Sequence, residues 1–465
     1  MTETMTHYER IIAAYRLEEP DRVPVIPINS YFLPYHVGMT IRQAQREPDR
    51  LIQAHLDHQD LLGDAVHPFQ SGHDHLGLFG RTGWDQTTLD WRIYEDFPPK
   101  GNLPNLFEKD IIEDYDDVFE RGFSTLLFNL KLENQIWKRS VHDFLYFEFD
   151  YLKVWAAAWR RFVEESGISL LLGGRACHPL DLLQYYRGIF NLVSDLYEQP
   201  EKVKAMCEWL AEYEAVRAMG RAMTMGAGEV PGADTILFIN GGPPGLSPAM
   251  FDEFYFPYAK KMIDMFVKRG FKVHNHWDTD LTPNLRTIAR LADGLPKGKL
   301  LMDFEKTNMK KAKEILGDKM CLAGNVPVVM LIYGTVAEVE DYCKTLIHDC
   351  AEGGGYMLGG ECDIPWDAKP ENVRAMVEAA RKFGQYKASG RESKGREARS
   401  GVSPNERRIL EEIKAGLQPP SREELDRVTA KWLFGSNTET MMKYAPWSFV
   451  LAKLMWKKGE EPWAR

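Results

Sequence analysis

Short apolar runs alternate with longer stretches of helical periodicity along most of the chain. The runs Val23–Ile28, Asp64–His67, Ser169–Leu172, Thr235–Ile239, Phe271–His274, Lys299–Met302, Met320–Ala323 and Tyr356–Leu358 read as buried strands. Glycine turns precede several of them, at Gly226-Ala227-Gly228, Gly270, Gly317 and Gly353-Gly354-Gly355. Helices fill the intervals. Ser247 followed by Pro248 predicts one helix start, and Pro370 through Lys382 predicts a helix closed by Gly384. Alternation of strand and helix predicts an α/β fold with a parallel sheet. The repeat number favours closure into a (β/α)8 TIM barrel, with an open doubly wound sheet as the alternative. No GxGxxG turn follows the first strand, so a dinucleotide fold has no support.

Two regions depart from the repeat. Residues 100–168 read as an acidic, aromatic-rich insertion within a barrel spanning 1–385. Residues 386–465 read as a charged linker followed by a helical extension carrying Trp432, Trp447, Trp456 and Trp463. So much tryptophan predicts a tail packed on the barrel or on a second copy of the chain, which makes a homodimer one expectation. His55 and His58 fall on a predicted helix and read as surface residues.

Composition narrows the classes. The chain has 465 residues, 44% hydrophobic and 27% charged, which suits a globular protein with a large core. A net charge of −10 argues against nucleic acid as a partner, because phosphate binding needs a concentrated basic face. The six cysteines are scattered and form no short-spaced framework, so disulfides are not expected. All but Cys362 read as packed. The first residues are polar, without a signal-like apolar stretch, and no run reaches a membrane-spanning length. The expectation is a cytoplasmic protein with no membrane partner.

In a barrel, chemistry sits at the C-terminal ends of the strands. The polar residues predicted there are Asn29, His67, the run Gly173 to His178, Asn240, His274, His276, Asp303, Asn325, Glu361 and Cys362. His274 and His276 are two apart, so an extended backbone points both imidazoles to one side. With Cys362 as a thiolate they make a candidate zinc site of nitrogen and sulfur donors. The same two imidazoles can also bind substrate without metal. His67, Asn240, Asp303 and Asn325 are candidate substrate contacts. His73 and His75 repeat the spacing in a glycine-flanked loop and read as solvated or substrate-facing.

These residues resemble a known family. Glu19-Pro20-Asp21-Arg22-Val23-Pro24-Val25 looks like the opening of the uroporphyrinogen decarboxylase-like superfamily. Leu246-Ser247-Pro248-Ala249-Met250-Phe251, Leu322-Ala323-Gly324-Asn325-Val326 and Gly360-Glu361-Cys362-Asp363-Ile364-Pro365 are similar to its later motifs. The resemblance implies the (β/α)8 barrel. True decarboxylases carry Arg-Gln-Ala-Gly-Arg after the first strand, where this chain has Ile26-Pro27-Ile28-Asn29-Ser30-Tyr31-Phe32. The resemblance therefore favours the cobamide-dependent methyltransferase branch, whose zinc site is His-x-Cys and a distant Cys. By position, His274 matches the histidine, His276 replaces the first cysteine and Cys362 matches the second. What this implies is a zinc enzyme moving a methyl group from a small methylated donor, such as an aromatic methyl ether or a methylamine, to cob(I)alamin. The replacement points away from the thiol-methylating members and toward demethylation. No Asp-x-His-x-x-Gly segment is present, so the corrinoid (cobalamin) is expected on a partner protein. A metal-free decarboxylase or lyase of the same superfamily is the alternative.

Overall fold

The computed structural model describes residues 3–29, 32–40, 43–44, 47–68, 112–129, 152–242, 246–386 and 402–436. Its strands are β1 (Ala65–Val66), β2 (Ser169–Leu170), β3 (Gly174–Cys177), β4 (Thr235–Asn240), β5 (Lys272–Trp277), β6 (Leu300–Phe304), β7 (Cys321–Ala323) and β8 (Tyr356–Met357). All pair in parallel, β1 with β2, and β3 through β8 in sequence order. The extended segment around Val25 bridges Leu358 in parallel and accepts from the Asp64 amide at 2.7 Å, joining β8 to the β1 side. The Gly173 amide donates to Thr235, so β4 continues the ring from the β2–β3 segment. This is the α/β barrel architecture expected for the chain.

Two segments differ from expectation. Val23–Ile28 makes only bridges, because Pro24 and Pro27 bring no amide to a ladder. Gly173 to His178 is not a loop after the third strand, since Gly174–Cys177 is itself the strand β3. Its glycines admit neighbouring backbone. A Cβ on Gly174 would stand 2.1 Å from the Ala218 carbonyl oxygen. β5 runs to Trp277, beyond the predicted end at His274, so His276 also lies within the strand.

Strand pairing sets the interior. Leu237, His274, Leu301 and Cys321 form one register row, and Ile239, His276, Asp303, Ala323 and Met357 the next. Leu237, Leu301, Cys321, Ala323 and Met357 pack together as the barrel's inner cluster. Side chains alternate along a strand, so His274, His276 and Asp303 share this inward face. The opposite face, with Phe238, Val273, Met302 and Tyr356, packs against the helices in a larger cluster.

Helices Tyr115–Asn129 and Leu152–Ser166 arise within the stretch read as an insertion. The second buries Trp159 and Phe162 against Leu51 and Ile52. His55 also lies in this layer, fully buried, correcting its reading as a surface residue. Its Nδ1 bonds the Leu51 carbonyl at 2.8 Å and its ring meets Trp159 edge-on. An apolar partner helix, invisible from local periodicity, covers that face.

Helices Pro404–Gly416 and Arg422–Phe434 lie across the body. Trp432 stacks on Tyr213 with centroids 4.7 Å apart. The Arg269 guanidinium meets Glu424 at 2.7 and 2.9 Å. Helix His7–Tyr15 and helix Pro404–Gly416 each begin with a capping box, and Thr6 Oγ1 donates to Glu406 to tie the two together. Trp447, Trp456, Trp463, His73 and His75 lie outside the described residues.

Candidate functional site

The two rows of register lead to one carboxylate. Asp303 Oδ2 lies 2.9 Å from His274 Nε2 and 2.9 Å from His276 Nδ1. All three residues are buried. Burial alone would raise the Asp303 pKa, but the two imidazoles hold it well below the usual carboxylate range. Asp303, expected as a substrate contact, thus serves the histidines.

The other nitrogen of His276 faces a second set of donors. His276 Nε2 is 3.3 Å from Asp278 Oδ1, 3.6 Å from Glu305 Oε1 and 3.8 Å from Cys362 Sγ. Donor atoms of His276, Glu305 and Cys362 lie within 4.8 Å of one another, and those of His274, His276 and Asp303 form a separate group. His276 and Cys362 therefore meet as the sequence suggests. His274 sits on the other side of Asp303, outside the group that contains the thiol. Glu305 completes that group and was missed. Its signal was Asp303-Phe304-Glu305, the same i, i+2 spacing as His274 and His276.

This donor set fits a divalent metal, zinc in particular, by its chemistry. It offers an imidazole nitrogen, a carboxylate oxygen and a sulfur. Asp303 fixes the His276 tautomer by holding its far nitrogen, the usual arrangement behind a ligating histidine. The electrostatics point the same way. Burial would lower the His276 pKa, but Asp303, Cys362 and Glu305 outweigh it and raise it well above the ordinary imidazole value. Enclosure of the sulfur pushes the Cys362 thiol up to about 12. The cluster thus favours positive charge at Nε2, and a cation there would also stabilise the thiolate.

The remaining candidates divide. His67 is buried at the end of β1, on the parity of Ala65 in the inner cluster. Asn325 donates to the carbonyls of Glu305 and Thr307 at 3.1 and 3.0 Å, so it shapes the loop that carries Glu305. Asn240 shares the outward parity of Ile236 and Phe238, and its amide donates to the Phe238 carbonyl. It is set toward the helices rather than the barrel axis. Glu361 is occupied by Lys306 at 2.6 Å and the Val328 amide at 3.2 Å, away from the donor group.

A further carboxylate borders the site. Asp181, third in helix Pro179–Arg187, accepts from the Tyr255 hydroxyl at 2.8 Å and the amides of Gly241 and Gly242 at 2.7 and 3.0 Å. Burial, with Asp278 nearby, pushes its pKa up to about 7 against these three donors. Tyr255 stacks on His178 with centroids 3.5 Å apart. His178 caps the same helix by accepting from Leu180, and burial lowers its pKa to about 3, so the ring stays neutral.

Comparison with known proteins agrees with this architecture. The uroporphyrinogen decarboxylase (URO-D) family model matches residues 139–383. A uroporphyrinogen decarboxylase of Geobacter metallireducens is 27% identical over 193 residues, covering 41% of this chain and 52% of that protein. The one from Pseudoalteromonas translucida is 26% identical over 152 residues, covering 33% of this chain and 42% of that protein. The chain spans about half the length of the curated relatives it matches. Among solved structures, a methyltransferase from Methanosarcina mazei aligns with a TM-score of 0.58 at 20% identity, covering 82% of this chain and 99% of that chain. At that identity the likeness is one of fold. Among the described residues, no helix is long and apolar enough to cross a membrane.

Proposed function

The chain belongs to the uroporphyrinogen decarboxylase family, and on that premise we propose that it is a zinc-dependent methyltransferase. It would take a methyl group from a small methylated donor, such as an aromatic methyl ether or a methylamine, and pass it to cob(I)alamin on a partner corrinoid protein. The observation that carries this reading is the meeting of His276, Glu305 and Cys362 at the end of a barrel, with Asp303 behind the imidazole.

His276 Nε2, Glu305 and Cys362 would hold the metal. When bound, zinc supplies Lewis acidity that makes the methyl-bearing atom of the donor a better leaving group. With a metal in place of the Nε2 proton, Asp303 would keep the remaining His276 proton on Nδ1. Asp278, its side chain 40% exposed, faces the same nitrogen and would add a negative charge beside the metal without being one of its three ligands. Trp277 is buried behind the strand and packs with Phe251 and Tyr255, which keeps water from the rear of the site. His274, through Asp303, would set the charge behind His276 rather than bind metal.

Zinc analysis of the purified chain tests this. One zinc per chain, lost in Cys362→Ala, is expected, together with methyl transfer to a reduced corrinoid protein. A folded, active chain without metal would overturn the reading. The second reading, a metal-free decarboxylase or lyase, is favoured by the names of the curated relatives. Against it stands the Ile26 to Asn29 segment, which has no arginine to hold substrate carboxylates. Release of carbon dioxide from a porphyrinogen by the metal-free chain would establish it instead.

A further inference from the structure

One peptide group joins the Asp181 carboxylate to the backbone of Asp278 at the end of the barrel. The Gly241 amide donates to Asp181 Oδ2 at 2.7 Å. The carbonyl of that same peptide, on Asn240, accepts from the Asp278 amide at 3.2 Å. The turn is tight. A Cβ on Gly241 would lie 3.4 Å from Asp278 Oδ2 and 3.5 Å from the Asp181 carboxylate, so the backbone runs between the two. Gly242 has φ +66°, a conformation that suits glycine, and its amide donates to the other oxygen of Asp181. The Tyr255 hydroxyl donates a third bond to Asp181, and its ring is locked on His178.

We propose that Asp181 is a positioning residue that, through the Asn240–Gly241 peptide, holds Asp278 in place beside His276 Nε2. Three features support this. Asp181 is buried, and its two oxygens together accept three bonds, so it has one well-defined pose. A peptide polarised by a carboxylate at its N–H is a better acceptor at its C=O, so the two bonds strengthen each other. Asp278 itself is half-exposed and follows His276 by two residues, so its backbone anchor decides where its carboxylate stands. Asp181 need not touch metal or substrate to do this. The inference rests on the metal reading above for its chemical consequence and on backbone geometry for its mechanism.

Two measurements on the full chain test it, with Zn2+ alone as the probe. In Asp181→Asn, amide hydrogen exchange is expected to rise together at Gly241, Gly242 and Asp278. Zinc affinity is expected to fall about 10- to 100-fold, the range typical of an outer-shell partner. Asp278→Asn should cause a similar fall, and adding Asp181→Asn to it should cause no further loss, because both act through one group. Tyr255→Phe, which keeps the stack on His178, should raise exchange at the same three amides by a smaller factor. It serves if Asp181→Asn does not fold. Exchange that rises at Gly241 and Gly242 but not at Asp278, or zinc effects that multiply, overturns the proposal. A wild-type chain that takes up no zinc overturns the metal reading instead, and the exchange pattern still decides the relay.

Discussion

Asp303 Oδ2 stands 2.9 Å from His276 Nδ1 and thereby turns the Nε2 of that ring toward Glu305 and Cys362. A carboxylate in this position sets both tautomer and orientation. Asp303→Asn removes the charge while keeping the shape. Zinc affinity should fall about 10- to 100-fold. Competition with a chelator of known affinity measures it, and an unchanged affinity would separate Asp303 from the metal.

The two histidines should behave differently. His276→Ala and Glu305→Gln each remove a donor of the thiol-containing group and should lose stoichiometric zinc. His274→Ala should keep it, since His274 lies across Asp303 from Cys362. If His274→Ala and His276→Ala lose zinc equally, the ligand set is the one implied by family position rather than the one proposed from the geometry.

Acid should destabilise the fold in two stages. His178 titrates at about 3 when folded against 6.5 when free, because burial disfavours its charged form. The unfolded chain therefore binds a proton first, and stability falls as pH drops from 6.5 toward 3. The slope from this group is about 1.4 kcal/mol per pH unit. His178→Asn keeps an N-cap acceptor and should flatten the profile between pH 7 and 5, as read by denaturant titration.

The second stage belongs to Asp64. Burial would raise its pKa, but Arg10 and Arg22, at 2.6 and 2.7 Å, hold it well below the usual range. Its stabilisation is complete above the unfolded value, ~3.9, and is lost as pH falls through the folded value. Asp64→Asn leaves two buried guanidinium groups without that charge and should cost about 3–5 kcal/mol at neutral pH. A loss below about 1 kcal/mol would mean that Asp21 and Glu3 suffice to neutralise them.

Trp432→Ala should release the C-terminal helices. The indole is buried and stacked on Tyr213, and losing such a side chain costs about 3–5 kcal/mol. Brief proteolysis should then cut within 402–436 at protease levels that spare the wild type. Resistance equal to wild type would assign the anchoring to Arg269–Glu424 and Arg427–Glu212 instead.

Much of the barrel was legible because strand parity and glycine turns are local signals. The inward pairing of His274 and His276 follows from their spacing alone. β3 was hidden because its glycines look like a turn, whereas here they let the backbones at Ala218 and Ala233 approach. Glu305 was missed although its spacing from Asp303 carried the same signal. Asp181 had no local signature. Its partners lie 60 and 74 residues away, and only the folded chain brings them together. Asn240 shows the opposite error, since polarity at a strand end suggested the site while parity sends the side chain outward.

The bond from Thr6 to Glu406 spans 400 residues. A ribosome adding about 5–20 residues per second therefore makes the first helix roughly 20–80 s before its partner exists. During that interval Tyr8 and Ile12 lack the cover of Ile409 and Leu410. That face of helix His7–Tyr15 therefore stays uncovered while the intervening 400 residues are made, and helix Pro404–Gly416 is what closes it.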